Sequence, residues 1–269
     1  MKRLGYKAVL NKFQQQLKLG VVMVRCSALF FAAALTVSIC VSLSDTKYEY
    51  EERVGALLWS LFPSVDLEER LTIVAIDEES IAAVGPWPWS RQVMAELSHK
   101  ISQLGASLQL YDIVFPEPKS GDDVFLDALL MHKGVIAQVP ILNRESGVRT
   151  GRLSGALEGV RCQYPIPEAH GFVASAESLI ASSTGHITPI VDHDGFIRMQ
   201  PPLICNEENV YPSLVIKGLM MGLGKDGADV EINKGHGFLA PSWELSLSSY
   251  LGLAIPLDSK GNMRISYRQ

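Results

Sequence analysis

A long apolar run behind a basic arm constrains this chain more than any other feature of its sequence. The run Leu19–Leu43 contains one formally charged residue, Arg25, and it is preceded by no acidic residue and by five basic ones: Lys2, Arg3, Lys7, Lys12 and Lys18. A helix rises ~1.5 Å per residue and crosses a hydrocarbon core of ~30 Å in about 20 residues, so this run is long enough to span a bilayer. Because basic residues stay on the cytoplasmic side, the sequence predicts a cytoplasmic tail at 1–18, a transmembrane helix at 19–43 and an extracytoplasmic domain at 46–269.

A cleaved signal peptide is the alternative interpretation of the same run. Residues 28–41 have the length of a signal-peptide core, and Ser42 to Ser44 offers small residues at a cleavage-like spacing. The basic arm is long for a signal peptide, however, and the apolar stretch begins well before Phe30. We therefore expect a single-pass anchor in the inner (cytoplasmic) membrane, with the amino terminus cytoplasmic and the following domain periplasmic or extracellular.

Charge and motifs exclude several classes of function. Six of the 24 Lys and Arg residues lie within the first 25 residues, whereas all 29 Asp and Glu residues follow residue 44. The predicted extracytoplasmic domain is therefore acidic, which argues against a nucleic-acid partner. The GxGxxG pattern at 222–227 follows a helical pattern instead of a strand, which is the wrong context for a dinucleotide site. His186 and His193 have no evident third metal ligand, and the sequence predicts no cofactor, no metal and no catalytic residue.

Two cysteines, Cys162 and Cys205, lie in the predicted extracytoplasmic domain. An oxidising compartment permits a disulfide between them, but their spacing does not show that their Cα atoms come within ~7 Å. A disulfide and two free thiols both remain open at this point.

Alternating strand and helix patterns predict an α/β fold with a mixed, largely parallel sheet flanked by helices. Short apolar runs rich in β-branched residues indicate strands, and apolar residues at three- and four-residue intervals indicate helices. Ser90 suits a helix N-cap, and Asp194-Gly195 predicts a hairpin turn. The predicted strands are Leu71–Ile76, Ser107–Phe115, Val135–Val139, His186–Val191, Phe196–Ile204 and Met263–Arg268. The predicted helices are Thr46–Phe62, Met94–Leu104, Gly121–Lys133 and a helix that follows Tyr211–Ser213 and ends at Leu223, whereas 140–167 is predicted to be irregular.

Two aspartates mark a candidate ligand site. Asp77 and Asp112 each lie at or near the carboxyl end of a predicted parallel strand, and ligands of open α/β sheets bind at that edge. Neighbouring strands are ~4.8 Å apart, so the two carboxylates would face one pocket and hold a cation or a cationic ligand. The alternative is that they cap adjacent loops or pair with Arg91 or Arg198.

Two tryptophans separated by a proline form a second candidate feature. Trp87 and Trp89 would provide an exposed stacking surface for a sugar or an aromatic ligand. The alternative is that they hold a loop against the sheet, because a buried tryptophan removes ~200 Å² of surface from water.

Several segments in a fixed order resemble one family, the type-2 CHASE domain, which is a cyclase and histidine-kinase associated sensory extracellular domain. The segments are Ile73–Ile81, Gly85–Arg91, Tyr111–Phe115, Asp122-Asp123, Gly185–Ile187, Asp192–Arg198 and Tyr211–Leu214, and the resemblance runs over Phe62–Gln269. It implies an extracytoplasmic sensory domain of a bacterial membrane receptor. Receptors of this kind relay a stimulus to a cytoplasmic output such as a nucleotide cyclase or a kinase of a two-component system. The family has no associated catalytic residues, so the resemblance implies that this chain is not an enzyme.

The resemblance also sets the expected partners. We expect an unknown small ligand or stimulus, a second copy of the chain in a homodimer, and either a membrane-embedded signalling partner or an output domain missing after Gln269. The candidate ligand-binding residues are Asp77, Trp87, Trp89, Arg91, Asp112, Asp194 and Arg198. A membrane-tethered hydrolase that uses Asp77 and Asp112 around a metal ion is the alternative function.

Overall fold

The computed structural model of the chain describes residues 27, 29–39, 69–192, 194–224, 230–235, 241–247, 250 and 252–265. The chain divides into two compact units, Met1–Leu71 with Tyr267–Gln269 and Thr72–Ser266.

Residues 29–39 are helical and lie inside the predicted transmembrane segment. Within the described residues, no helix is both long enough and apolar enough to cross a membrane. The predicted cytoplasmic tail, most of the predicted transmembrane helix and the predicted helix Thr46–Phe62 lie outside the described residues.

Three α-helices described in the second unit begin at a side chain that accepts a hydrogen bond from the first turn. The helices described in this unit are α1 (Glu78–Val84), α2 (Arg91–Gln103), α3 (Asp122–Met131) and α4 (Leu214–Gly222), together with a single 3-10 turn at Glu177–Leu179. Ser90 caps α2 by accepting a hydrogen bond from the Val93 N–H at 3.3 Å, and Ser213 caps α4 in the same way. The prediction of Ser90 as an N-cap is therefore confirmed. A short polar side chain at this position satisfies a backbone donor that the helix leaves free.

The parallel strand pairs of the described residues all lie among the first five strands. Strands β1 (Gln109–Tyr111) and β2 (Gly134–Ile141) pair in parallel, with α3 in the connection between them, and β2 also pairs in parallel with β5 (Ser183–His186). Strand β4 (Gly171–Val173) pairs antiparallel with β2 and parallel with β3 (Arg149–Thr150). The predicted strand–helix–strand crossover is present here.

Most of the later strands of the second unit form an antiparallel sheet. Its strand order is β10-β11-β12-β13-β7-β6, and β8 pairs with β9 as a separate hairpin. The strands are β6 (Ile190–Val191), β7 (Ile197–Gln200), β8 (Leu203–Asn206), β9 (Asn209–Pro212), β10 (Val230–Lys234), β11 (Trp243–Leu247), β12 (Ala254–Leu257) and β13 (Met263–Arg264). The α/β class and the mixed pairing are confirmed, but the prediction of a largely parallel sheet is wrong. Many of these strands follow one another after only a few residues, and a parallel crossover needs a dozen or more.

The predicted strand Leu71–Ile76 is also wrong. The structure assigns no strand to 71–77, and Leu71 and Ile73 expose 75% and 93% of their surface. An apolar run rich in β-branched residues has a preference for extended backbone, but a strand also needs a neighbouring strand to pair with. The described part of the chain provides no partner strand for this segment.

Two hydrophobic cores stabilise the second unit. The first core lies where α2 and α3 meet the parallel strands, and its buried members are Trp89, Met94, Ala95, Tyr111, Phe115, Phe125, Ala128, Leu129, Ile136 and Leu179. The second core includes one side of α4 and the antiparallel strands, and its buried members are Leu157, Ile166, Leu203, Cys205, Val210, Ile216, Met220, Val230, Leu245, Leu247 and Leu257. A disulfide joins Cys162 to Cys205 at the second core, with a Cα–Cα distance of 5.6 Å.

Candidate functional site

Polar side chains lie near the carboxyl ends of the parallel strands, where ligands of open α/β sheets bind. Gln138 of β2 donates to the Ser154 carbonyl at 3.0 Å and accepts from the Ser154 N–H at 3.2 Å. Thr184 of β5 donates to the same carbonyl at 2.6 Å. These bonds attach the loop that contains Ser154, between β3 and β4, to both strands. The prediction that 140–167 is irregular is therefore wrong at the end of β2 and at β3. We call Gln138, Ser154, Thr184 and the neighbouring His186 the strand-end cluster.

His186 is the member of the strand-end cluster whose side chain has no hydrogen-bond partner among the described residues. It pairs in register with Gln138 across the parallel ladder, so both side chains leave the same face of the sheet. The residue has no exposed surface, and neither ring nitrogen has a hydrogen-bond partner among the described residues. Burial lowers its pKa to about 3. A neutral imidazole therefore presents one donor and one acceptor inside the protein, and such a buried group calls for an explanation such as a functional role or a bound water.

A close contact between β5 and α4 holds this histidine in place. A Cβ added to Gly185 would lie 2.5 Å from the Leu214 Cα. The backbone of His186 forms a parallel bridge with Ser213, the N-cap of α4. The absence of a side chain at Gly185 therefore allows β5 to approach the start of α4 closely.

Asp77 and Asp112 have different roles in the structure. Asp77 is the N-cap of α1 and accepts from the Ser80 N–H at 2.8 Å and from its hydroxyl at 2.6 Å. The hydrogen bond from the Ser80 side chain is the main reason that the pKa of Asp77 is lowered. Asp112 is exposed and directly follows β1. The capping alternative therefore holds for Asp77, and a binding role for either residue stays a prediction.

Arg91 is a buried structural cation. Its Nε donates to Asp122 at 2.6 Å, its Nη2 donates to the Glu117 carbonyl at 3.1 Å, and its guanidinium lies 4.5 Å from the centre of the Phe115 ring. Burial alone would raise the pKa of Asp122, but hydrogen bonds from the Ser178 hydroxyl, Arg91 and a backbone N–H outweigh it, so the pKa is lowered. The expected alternative partners, Asp77 and Asp112, are not the carboxylates that pair with this arginine.

Arg198 forms a similar group at the surface of the β6–β7 hairpin. Its guanidinium donates to Asp192 at 2.8 Å and to both oxygens of Asp194 at 2.9 Å, and it lies 4.9 Å from the Phe196 ring centre. The hydrogen bonds from Arg198 lower the pKa of Asp194 to about 2. The Asp194-Gly195 hairpin turn is confirmed, and Asp194 and Arg198 are brought together as partners of each other.

The two tryptophans divide between core and surface. Trp89 is buried in the first core, and its indole N–H donates to the Gly85 carbonyl at 2.8 Å. Trp87 remains 40% exposed, with its ring centre 5.6 Å from that of Trp89 in an edge-to-face arrangement. The loop-holding alternative therefore describes Trp89, whereas Trp87 presents an aromatic surface to solvent.

One family model matches most of the chain. The model of the CHASE2 domain matches residues 30–269. The chain belongs to the CHASE2 domain family. CHASE2 domains are sensory extracellular domains, and the resemblance described from the sequence motifs is confirmed. No curated protein and no solved structure matches the chain.

Two of the segments that carry the CHASE2 resemblance form turns. Gly85–Arg91 forms the turn into α2, and Asp192–Arg198 forms the β6–β7 hairpin. Sequence analysis missed Gln138, Ser154 and Thr184 as members of the strand-end cluster. One signal was present, because Gln138 is the single polar residue in the predicted strand Val135–Val139.

Proposed function

We propose that this chain is the extracytoplasmic sensory domain of a bacterial transmembrane receptor, and that it relays a stimulus across the membrane to an output module outside the chain. The observation that carries the proposal is the CHASE2 match over residues 30–269. The basic arm and apolar run before Leu43 support a membrane anchor with a cytoplasmic amino terminus. The chain would act as a homodimer, together with a membrane-embedded partner or an output domain.

The strand-end cluster supports a ligand site in the second unit. It lies at the sheet edge where α/β folds bind ligands, and it contains a neutral buried histidine with an unpaired donor and an unpaired acceptor among the described residues. Asp112 and Trp87 are two of the predicted site residues that remain exposed. A stimulus that binds one packing arrangement of this edge better than another would shift a two-state equilibrium.

We propose no catalytic role for the chain, because no specific observation favours the hydrolase alternative. One carboxylate oxygen of Asp77 already caps α1. Asp112, the other residue of the hydrolase alternative, is exposed and directly follows β1. Arg91 and Arg198, which are candidate ligand-binding residues, hold neighbouring carboxylates in ion pairs.

A pair of reporter fusions after Gln269 tests the topology. Alkaline phosphatase is active only outside the cytoplasm, so it should be active at this position. Green fluorescent protein does not become fluorescent when it is exported through the general secretion pathway, so it should be dark at the same position. Deletion of residues 1–18 is the matched control, because it removes basic residues that orient the anchor. A dark phosphatase with a bright cytoplasmic reporter would contradict the proposal.

A thermal-shift screen of the purified full chain tests the sensory site. We expect at least one class of small extracytoplasmic solutes to raise the unfolding temperature. Asp112→Asn and Trp87→Ala should reduce that shift, and Glu231→Gln on β10 serves as an exposed control. If both site variants keep the full shift, the assignment of Asp112 and Trp87 is wrong, and His186→Leu then tests the strand-end cluster alone.

A further inference from the structure

A pair of histidines lies away from the strand-end cluster. His99 is in the last part of α2, and His132 is the C-cap of α3. The Nδ1 atom of His99 and the Nε2 atom of His132 are 2.7 Å apart, and the two rings meet edge to face with their centres 4.8 Å apart. Both residues are half-buried. Two neighbouring helices thus bring two imidazole nitrogens to one accessible point.

The fold places this pair at the opposite sheet edge from the strand-end cluster. His132 precedes β2 by two residues, and α2 leads into β1, so the pair lies near the amino ends of the parallel strands. Neither histidine belongs to the CHASE2 motifs quoted above. The pair is therefore a feature for which the sensory assignment gives no explanation.

The contact between the two rings is compatible with metal binding. One nitrogen must donate its N–H and the other must accept with its lone pair, so a metal ion could bind both nitrogens once the donating ring takes its other tautomer. A Zn²⁺ ion has Zn–N distances of ~2.0 to 2.1 Å, and tetrahedral ligands at that distance are ~3.3 Å apart. Replacement of the proton by a metal ion would therefore need the two nitrogens to separate by only about 0.6 Å.

The surroundings include one carboxylate on the same helix face. Glu96 precedes His99 by three residues on α2, and residues at this spacing are neighbours on a helix surface. It is exposed. Lys100 and Lys133 directly follow the two histidines and are also exposed. Lys100 does not share a helix face with His99, because adjacent residues of a helix do not face each other, and Lys133 lies beyond the end of α3. With the side chains in their observed positions, no third His, Cys, Asp or Glu among the described residues completes a metal-binding group.

We propose that His99 and His132 bind a divalent transition-metal ion of the zinc type, with solvent and a rotated Glu96 side chain as the remaining ligands. Imidazole is a preferred ligand of zinc, copper and nickel, whereas Mg²⁺ and Ca²⁺ prefer oxygen ligands. The bound ion would cross-link α2 to α3 and stabilise the contact between these helices. This inference does not depend on the proposed sensory function.

Metal titration of the full chain, purified with a histidine-free affinity tag, tests the proposal. We expect calorimetry to show one Zn²⁺ ion bound per chain and the unfolding temperature to rise, with no change on addition of Mg²⁺. The double variant His99→Gln/His132→Gln should weaken Zn²⁺ binding by at least about tenfold, since it removes both imidazole ligands. Glu96→Gln should weaken it less.

The matched control is His170→Gln, which removes a half-buried histidine outside the pair. It should leave Zn²⁺ binding unchanged, and far-UV circular dichroism should show that the metal-free double variant is folded. The absorption spectrum of bound Co²⁺ gives a second measure, because imidazole ligation changes its visible bands. No Zn²⁺ binding by the wild-type chain, or equal binding by the double variant, would overturn the proposal.

Discussion

The first and second cores are closed by different kinds of cross-link. At the first core, Arg91 of α2 pairs with Asp122 of α3, and their side chains are only 4% and 6% exposed. At the second core, the disulfide Cys162–Cys205 is the covalent link. On the nearby β6–β7 hairpin, the Arg198 side chain is 19% exposed and its partner Asp194 is 39% exposed. The same pair of residue types is therefore a buried cross-link in one place and a solvated surface contact in another.

Burial, more than residue type, decides how much an ion pair contributes to stability. Removal of one partner from a buried pair leaves an uncompensated charge inside the protein, whereas removal of one partner from an exposed pair exposes a charge to water. The predictions below test this difference in order of decreasing effect.

Arg91→Met should destabilise the chain most. It leaves the Asp122 carboxylate buried without its cation, which we expect to lower the free energy of unfolding by about 3 to 5 kcal/mol and the unfolding temperature by roughly 10 °C. Thermal unfolding of the purified chain followed by circular dichroism measures this change. The double variant Arg91→Met/Asp122→Leu should recover most of the loss. A loss below about 1 kcal/mol for the single variant would show that the pair behaves like a surface contact.

The disulfide should rank second. Its cysteines are 43 residues apart in the sequence, and a cross-link over a loop of this size typically stabilises by about 2 to 4 kcal/mol by restricting the unfolded chain. Chemical denaturation of Cys162→Ala/Cys205→Ala should show this loss, and a reducing agent should then have no further effect on the variant. Equal stability of the wild-type chain with and without reductant would remove the disulfide from the comparison.

His186 should make stability dependent on pH. Burial lowers its pKa from 6.5 to about 3, so below pH 6.5 the unfolded chain takes up a proton that the folded chain does not. The contribution is fully present above pH 6.5 and is lost as the pH falls toward about 3, at roughly 1.4 kcal/mol per pH unit.

Denaturation curves at pH 7, 6 and 5 measure this effect in a range above the titration of most carboxylates. The wild-type chain should lose about 2 kcal/mol more than His186→Leu between pH 7 and pH 5. His170→Gln provides the matched control and should keep the wild-type slope. Parallel slopes for the wild-type chain and His186→Leu would mean that His186 is not held neutral.

Arg198→Met should have the smallest effect. Its partners are partly exposed, so the change in unfolding temperature should stay below about 2 °C. The pKa of Asp194, which Arg198 lowers to about 2, should return toward 3.8. A nuclear magnetic resonance titration of the Asp194 carboxyl carbon measures that return. A loss of stability as large as that of Arg91→Met would break the distinction between the two arginines.

Local features of the fold could be predicted from the sequence. Ser90 and Ser213 begin helices because the capping hydrogen bond joins residues three apart, and Asp194-Gly195 forms a turn because the required backbone conformation belongs to those two residues. The order of the CHASE2 motifs likewise predicted the family, which the match over residues 30–269 confirms.

Long-range features could not be predicted in this way. Leu71–Ile76 has the composition of a strand, but pairing depends on the position of another strand edge, and the structure provides none within the described residues. The partner of Arg91 is Asp122, which lies 31 residues away on another helix. The predicted partners, Asp77 and Asp112, are not the carboxylates that pair with this guanidinium.

The sequence by itself determined the caps, the hairpin turn, the membrane-anchor pattern and the family, since each of these depends on neighbouring residues or on residue type. Only the tertiary structure decided which strands pair in parallel, which arginine is buried, and that the His186 side chain is buried without a hydrogen-bond partner among the described residues. The physical reason is that burial and pairing arise from contacts between segments distant along the chain. Such contacts form when helices and strands pack, and the spacing of residues within one segment does not specify them.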